Sequence, residues 1–159
     1  MFLKQGGADG VTPPGFLLPV KEQVACMYPT KLMLKRTPVV YRERPWGWYE
    51  TMESDDPTYK LKKIWVNPSE RFSLQYHNHR GEHWIIVEGS GTIQLNEYTE
   101  KVLPGKHFYI PQGSRHRMTA GEKGVLFYEV QYGTNCAEDD IVRLEDDYGR
   151  VNMREYYTE

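Results

Sequence analysis

Cysteine is scarce in this sequence, which has 159 residues and only two cysteines, Cys26 and Cys136, far apart along the chain. Small secreted domains that depend on disulfides normally carry more, so we expect two free thiols in a reducing compartment. No run of about 18 apolar residues occurs that would cross a membrane as a helix. The first residues lack the apolar stretch of a signal peptide. These absences predict a cytoplasmic protein without a membrane partner.

Charge of one sign is not in excess either. The chain has 20 basic and 22 acidic residues, for a formal net charge of −2. The basic residues are spread along the chain and form no stripe, which argues against a nucleic-acid partner. The length suits one domain with a hydrophobic core of its own.

Glycine and proline are concentrated at the start of the chain, in residues 1–40. Such density prevents long regular elements, so we expect an irregular N-terminal extension whose apolar pieces, FLLPV and KLMLK, are available as an arm on a partner subunit. Over residues 41–159, short strand-like runs alternate with turn signals at roughly ten-residue spacing, about eight runs in all. This pattern predicts an all-β sandwich or barrel.

Histidine is rare, yet three of the five histidines lie together in the stretch QYHNHRGEHW. In a strand, alternate side chains share a face, so Gln75, His77 and His79 are predicted to point the same way. A turn at Arg80–Gly81 would then bring Glu82, at the start of the following strand, close to these side chains. Two imidazoles and a carboxylate suit zinc, and also iron, manganese, nickel or cobalt.

A further protein ligand must come from another histidine. His83 is adjacent to Glu82 and faces the other way in a regular strand, and His107 opens a strand of its own. His116 follows the turn PQGSRH and is the candidate that we favour. The alternative is that these histidines are hydrogen-bonded polar residues of a barrel. The agreement of several independent positions favours the metal site.

The same residues resemble the two signature motifs of the cupin superfamily. The first motif, HxH followed by Glu and a later Gly, is matched by His77, His79, Glu82 and Gly89. The second, G-x5-PxG-xx-H, is matched by Gly105, Pro111, Gly113 and His116. Two departures are a shorter turn before Glu82 and an alanine, Ala120, in place of the final asparagine. The resemblance implies a double-stranded β-helix, a small jelly-roll barrel.

Longer strings narrow the resemblance. RPWGWYETM, HxHRxEHW and EDDIVRxEDDYGR, between Arg42 and Arg150, are similar to the isomerase domain of type II mannose-6-phosphate isomerases. In that family the domain usually follows a mannose-1-phosphate guanylyltransferase domain. That domain is absent from this sequence, so we expect a freestanding domain without guanylyl transfer. The implied activity is the interconversion of mannose 6-phosphate and fructose 6-phosphate through a cis-enediol, by an aldose–ketose isomerase.

This chemistry needs a Lewis acid, a general base and a cation for the phosphate. The resemblance implies one divalent metal ion, with zinc expected, on His77, Glu82 and His116. Either His79, or Gln75 as in the type I isomerases, would complete the ligand set. The candidate catalytic residues are His79, His83 and Glu82. The candidate phosphate-binding residues are Lys60, Lys62, Arg80, Arg117 and Arg143, although Arg117 faces away from its neighbour His116.

Three other functions fit the same motifs. A cupin without catalysis could bind a sugar phosphate or a sugar nucleotide, and the same ligands could serve a dioxygenase or an epimerase. Because jelly-roll sheet edges often pair between subunits, we also expect a homodimer.

Overall fold

The structure is a computed structural model that describes residues 38–52 and 56–151. Almost all of the predicted arm over residues 1–40 lies outside the described residues, and Val39 and Val40 already belong to the first strand. The described residues form nine strands and one 3-10 turn, Glu138–Asp140. The strands are β1 (Val39–Arg44), β2 (Gly47–Met52), β3 (Tyr59–Val66), β4 (Leu74–His77), β5 (Arg80–Leu95), β6 (Tyr98–Val102), β7 (His107–Ile110), β8 (His116–Gly133) and β9 (Ile141–Glu145).

All strand pairs are antiparallel, and the sheet curls into a barrel around two long strands. The order β1-β2-β3-β8-β4-β9 forms one path, and β5 pairs with β6, β7 and β8. β5 and β8 run side by side from Arg80–Gly133 to Leu95–His116, with bulges after Ile86 and after Gly89. The predicted all-β architecture is confirmed. The described residues contain no helix long and apolar enough to cross a membrane.

Glycine allows the sharp bend of the β5–β8 pair. Gly89 and Gly124 have φ values of +81° and +78°, in the left-handed region that side chains disfavour. A Cβ atom on Gly89 would lie 2.1 Å from the carbonyl oxygen of Gly124. The bulges turn the two halves of each strand onto different sides of the barrel, which brings the start of β8 close to β4.

β3, with the sequence YKLKKIWV, alternates between buried and less buried side chains from Lys62 to Val66. Ile64 and Val66 point inward to the core, together with Trp84 and Phe127 from β5 and β8. The rings of Trp84 and Phe127 are 4.9 Å apart, and the fully buried indole is the centre of the aromatic packing. Towards one end of the barrel the inward positions become polar. The buried polar residues there are Lys62, His77, Arg80, Glu82, His116, Glu129 and Gln131.

Candidate metal centre and cavity

Three buried side chains from three strands converge at the polar end of the barrel. His77 ends β4, Glu82 lies near the start of β5 and His116 begins β8. One ligand atom from each lies within 4.8 Å of the others, and the three residues are 1%, 1% and 0% exposed. His77 Nε2 is 3.0 Å from Glu82 Oε1, and His116 Nε2 is 3.6 Å from Glu82 Oε2. We call these residues the metal triad.

Each imidazole of the metal triad is oriented by a hydrogen bond on its far side. His77 Nδ1 is 3.0 Å from the main-chain oxygen of Asp140, and His116 Nδ1 is 2.9 Å from that of Ser114. A carbonyl oxygen can only accept, so each Nδ1 carries a proton, and each Nε2 is the ring nitrogen that faces Glu82. This is the arrangement that histidine ligands of metal ions usually adopt.

The environment of His116 fits a cation. Its Nε2 is buried and has no hydrogen-bond partner, which is costly unless another group fills the place. Burial lowers the pKa of His116 to about 4, so the ring is neutral and able to coordinate. Burial opposes ionisation of Glu82, but the adjacent His77 and the guanidinium of Arg80 outweigh it and hold the pKa of Glu82 well below its usual value. The donor set of two imidazoles and one carboxylate therefore suits a divalent ion.

Arg80 borders the metal triad. Its Nε is 3.4 Å from Glu82 Oε1, and one of its terminal nitrogens is 3.5 Å from His77 Nε2. Another donates to the carbonyl oxygen of Ala137 at 2.7 Å. The guanidinium is buried beside the metal triad and also lines the neighbouring cavity.

This cavity has a volume of about 500 Å³, counted out to its opening to solvent. Glu82 lines the cavity and so brings one member of the metal triad to its wall, whereas His77 and His116 are not among the lining residues. Five cationic residues line the cavity, namely Arg44, Lys62, Arg80, Arg143 and Arg150, against three carboxylates, Glu82, Glu129 and Glu138. The excess of positive charge favours an anionic ligand.

Two of these carboxylates have opposite environments. Glu138 accepts hydrogen bonds from Lys62 at 2.5 Å and from Lys60 at 3.3 Å. Burial opposes its ionisation, but the lysines lower the pKa of Glu138 to about 2. Glu129 is bonded to neutral donors, Trp84 Nε1 at 3.0 Å and Gln131 Nε2 at 2.7 Å. Burial, with the charge of Glu82, raises the pKa of Glu129 to about 8. Glu129 is therefore the cavity carboxyl that changes protonation near neutral pH.

The structure brings together most of the metal and cavity residues predicted from the sequence. His77, Glu82 and His116 form the metal triad. Gln75 lies on the same face of β4 as His77 and is in register with His116, and its Oε1 accepts from Ser73 Oγ at 2.8 Å. Gln75 and three predicted phosphate ligands, Lys62, Arg80 and Arg143, line the cavity.

His79 is not brought to the metal triad, because the predicted turn is displaced. The bend lies at Asn78–His79, and Arg80 and Gly81 already belong to β5. The alternation of side chains along β4 therefore ends at His77 and does not extend to His79. The His79 side chain is 55% exposed, and its Nδ1 is 2.8 Å from Asp140 Oδ1.

Three other predicted residues lie away from the cavity wall. His83 is exposed on the outer face, where its ring stacks on Tyr109 at 4.9 Å. Arg117 points away from His116 and contacts the carboxylate of Glu145 at 3.0 Å. Lys60 pairs with Glu138 and is not among the residues that line the cavity.

Sequence reasoning missed several cavity residues. In GVLFYEVQYG, alternation places Glu129 and Gln131 on the same face as the core residue Phe127. Polar residues at inward positions of a core strand were the available signal. Glu138 of the cavity and Asp140, which contacts His77, lie in a 3-10 turn, where strand alternation gives no signal, and they had no assigned role in the quoted string EDDIVRxEDDYGR. Arg44 and Arg150 were visible in the quoted strings but had no assigned role.

Comparisons with known proteins agree with this site and fold. Residues 33–146 match the sequence model of the mannose-6-phosphate isomerase C-terminal family. The mannose-1-phosphate guanylyltransferase ManC of Salmonella typhimurium is 38% identical over 109 residues, which are 68% of this chain and 22% of that protein. The chain thus spans less than a quarter of the length of this relative.

Two solved structures share the fold at low sequence identity. Oxalate decarboxylase from Bacillus subtilis is 18% identical, with a TM-score of 0.62 over 69% of this chain and 31% of that chain. The cupin domain of Schizosaccharomyces pombe Cnp3 is 14% identical, with a TM-score of 0.55 over 60% of this chain and 69% of that chain. The cupin barrel predicted from the two motifs is confirmed.

Proposed function

The chain belongs to the mannose-6-phosphate isomerase C-terminal family, and we propose that it is a metal-dependent isomerase that interconverts mannose 6-phosphate and fructose 6-phosphate. One observation carries the proposal: Glu82 belongs both to the buried metal triad and to the wall of a cavity that is also lined by five cationic side chains. A sugar phosphate offers what this combination recognises, a carbonyl or hydroxyl pair at one end and a dianion at the other.

The metal triad would hold one divalent ion, for which zinc is the first choice and cobalt, manganese, nickel and iron are the alternatives. Gln75 is the better candidate to complete the set, because it shares the inward face of β4 with His77, whereas His79 is bound to Asp140. When bound, such an ion supplies positive charge that stabilises an oxyanion developing at C1 or C2 of the sugar.

The phosphate would be bound by cavity arginines. Lys62 and Arg80 are held beside the carboxylates of Glu138 and Glu82. Arg44 ends β1, Arg143 lies in β9 and Arg150, which is paired with Asp146, follows β9, so guanidinium groups from three parts of the chain line the same cavity. The planar fork of arginine matches two phosphate oxygens.

The proton would be moved between C2 and C1 by Glu129. It is buried on the cavity wall, it is held by the neutral donors Trp84 and Gln131, and it is not part of the metal triad. A general base works best when its pKa is close to the working pH, which a pKa of about 8 supports. Glu129 thus replaces His79 and His83 as the proposed base.

A coupled assay for fructose 6-phosphate tests the proposal. The protein is stripped of metal and reloaded in turn with zinc, cobalt, manganese, nickel and iron. We expect turnover to return with at least one metal, to vanish in His116→Ala and to persist in the control His107→Ala, whose histidine is exposed.

A protein that binds metal and mannose 6-phosphate without turnover would be a binding cupin. Oxygen uptake would instead indicate a dioxygenase, and a different sugar product an epimerase. The homodimer stays a prediction, which light scattering tests. The cytoplasmic location also stays a prediction.

A further inference from the structure

The buried residue Asp140 makes an unusual number of contacts with one short stretch of the chain. Its main-chain oxygen accepts from His77 Nδ1 at 3.0 Å. Its carboxylate accepts from the backbone N–H of Asn78 at 3.1 Å and from that of His79 at 3.0 Å, one on each oxygen. His79 Nδ1 is 2.8 Å from Oδ1, and a terminal nitrogen of Arg80 is 3.7 Å from Oδ2. All four partners are consecutive, His77 to Arg80.

These contacts secure the connection between two members of the metal triad. His77 is the last residue of β4, and Glu82 follows the bend at Asn78–His79. The two N–H groups of this bend both point at the carboxylate of Asp140. Their direction fixes where β4 stops and where β5 begins, and so fixes the separation of His77 from Glu82.

The main-chain oxygen of Asp140 orients the His77 ring itself. Because this oxygen accepts from Nδ1, Nε2 is turned towards Glu82, whose Oε1 is 3.0 Å away. A ring with the opposite tautomer would present an N–H to the other ligands and could not coordinate there.

We propose that Asp140 is a positioning residue of the metal centre, whose carboxylate fixes the bend after His77 and whose main-chain oxygen orients the ring of His77. This inference rests on the metal centre of the proposed function but not on the isomerisation. It separates the roles of two acidic residues of the 3-10 turn, the partly buried Glu138 and the buried Asp140. Glu138 pairs with cavity lysines, and Asp140 holds a metal ligand.

The chain offers a matched control in the neighbouring residue. Asp139 lies in the same 3-10 turn and is exposed, so Asp139→Asn removes the same charge without touching the bend. Asp140→Asn keeps the shape of the side chain but replaces one acceptor by an NH2 group, which cannot accept from a backbone N–H. One N–H of the bend then loses its partner, and the bend and the main-chain oxygen of residue 140 are displaced together.

The test is the affinity and the visible absorption spectrum of cobalt(II) bound to the stripped wild-type protein and to both variants. We expect Asp140→Asn to weaken cobalt binding by roughly 10- to 100-fold, the usual effect of losing a group that orients a ligand, and to change the cobalt bands. Asp139→Asn should match the wild type in both. Equal affinity and equal spectra for all three proteins would overturn the inference.

A second measurement covers a variant that fails to fold. Nitrogen-15 chemical shifts of the metal-free wild-type protein report which nitrogen of His77 carries the proton. We expect a proton on Nδ1, and a ring without a proton on Nδ1 would overturn the inference. A wild-type protein that binds no cobalt would overturn the metal centre itself, and this inference with it. Cobalt binding without isomerase turnover would overturn only the proposed reaction.

Discussion

The Nε2 atom of His116 lies 3.6 Å from Oε2 of Glu82, fully buried and without a hydrogen-bond partner, while Nδ1 of the same ring is satisfied by Ser114. A buried polar atom without a partner is costly in a protein interior. One nitrogen of this ring has a hydrogen-bond partner, and the other, which faces a carboxylate, has none. The ring is therefore placed to coordinate a cation together with that carboxylate. This relationship is the strongest physical argument for a metal centre in the barrel.

Removal of His116 should therefore abolish tight metal binding. We expect His116→Ala to lose one ligand of the metal triad and most of the metal affinity, so that added zinc no longer raises the melting temperature. Zinc should still raise it in the wild type and in the exposed-histidine variant His107→Ala, because a ligand that binds only the folded state stabilises it. Thermal melts with and without zinc provide the measurement. An equal shift in all three proteins would contradict the metal triad.

Glu129→Gln should change both catalysis and the pH dependence of stability. As a general base, Glu129 should contribute roughly 10²- to 10⁴-fold to kcat. Its pKa is raised in the folded protein to about 8 from 4.5, so between these values the folded state binds more protons than the unfolded state. The stability contributed by this proton is therefore lost as the pH rises towards 8.

Urea unfolding of the metal-free protein between pH 5 and 8 measures this second effect. The free energy of unfolding of Glu129→Gln, relative to the wild type, should increase with pH over this range, because glutamine has no proton to lose. A difference that stays constant with pH would contradict the environment assigned to Glu129, and an unchanged kcat would contradict its role as the base.

Arg143→Ala should weaken the binding of the phosphate group. A hydrogen bond to a charged group is worth about 1.5–3 kcal/mol, so we expect KM for mannose 6-phosphate to rise by roughly tenfold or more. Inorganic phosphate should also become a weaker competitive inhibitor. Arg117→Ala is the matched control, because this buried arginine contacts Glu145 and does not line the cavity. Steady-state kinetics in which both variants behave alike would remove Arg143 from the phosphate site.

Trp84→Phe should destabilise the protein although it keeps an aromatic ring in the core. The indole N–H donates to Glu82 and to Glu129 at 3.0 Å each, so phenylalanine leaves two buried carboxyls short of a donor. Leaving a buried polar group unsatisfied costs about 1–3 kcal/mol. The exposed neighbour His83 gives the comparison, and His83→Ala should change the free energy of unfolding by less than about 0.5 kcal/mol. Urea titrations compare the two, and equal losses would contradict this assignment of the Trp84 N–H.

Much of the barrel was predictable because its signals are local. The residue sequence of β3 alternates, and Lys62, Ile64 and Val66 are buried while Lys63 and Trp65 between them are not. The spacing of the second motif singled out His116, which the structure brings beside His77 and Glu82. Both depend on regular strand geometry, which repeats every two residues.

The rest depended on contacts between distant parts of the chain. The bend at Asn78–His79 is held by Asp140, more than sixty positions away, so no local pattern could place it. The displaced bend put Arg80 inside the barrel and His79 outside the metal triad. Likewise, the role of Glu138 depends on Lys60 and Lys62 from β3.

The most direct test of the account is to follow mannose 6-phosphate by NMR with the zinc-loaded protein, the metal-stripped protein and the zinc-loaded Glu129→Gln variant. We expect the zinc-loaded wild type to produce fructose 6-phosphate and the stripped protein to produce none. The zinc-loaded Glu129→Gln variant should convert the sugar at a rate at least about a hundredfold lower than the wild type. Failure of the zinc-loaded wild type to convert the sugar, while it binds both zinc and mannose 6-phosphate, would contradict the proposed isomerase.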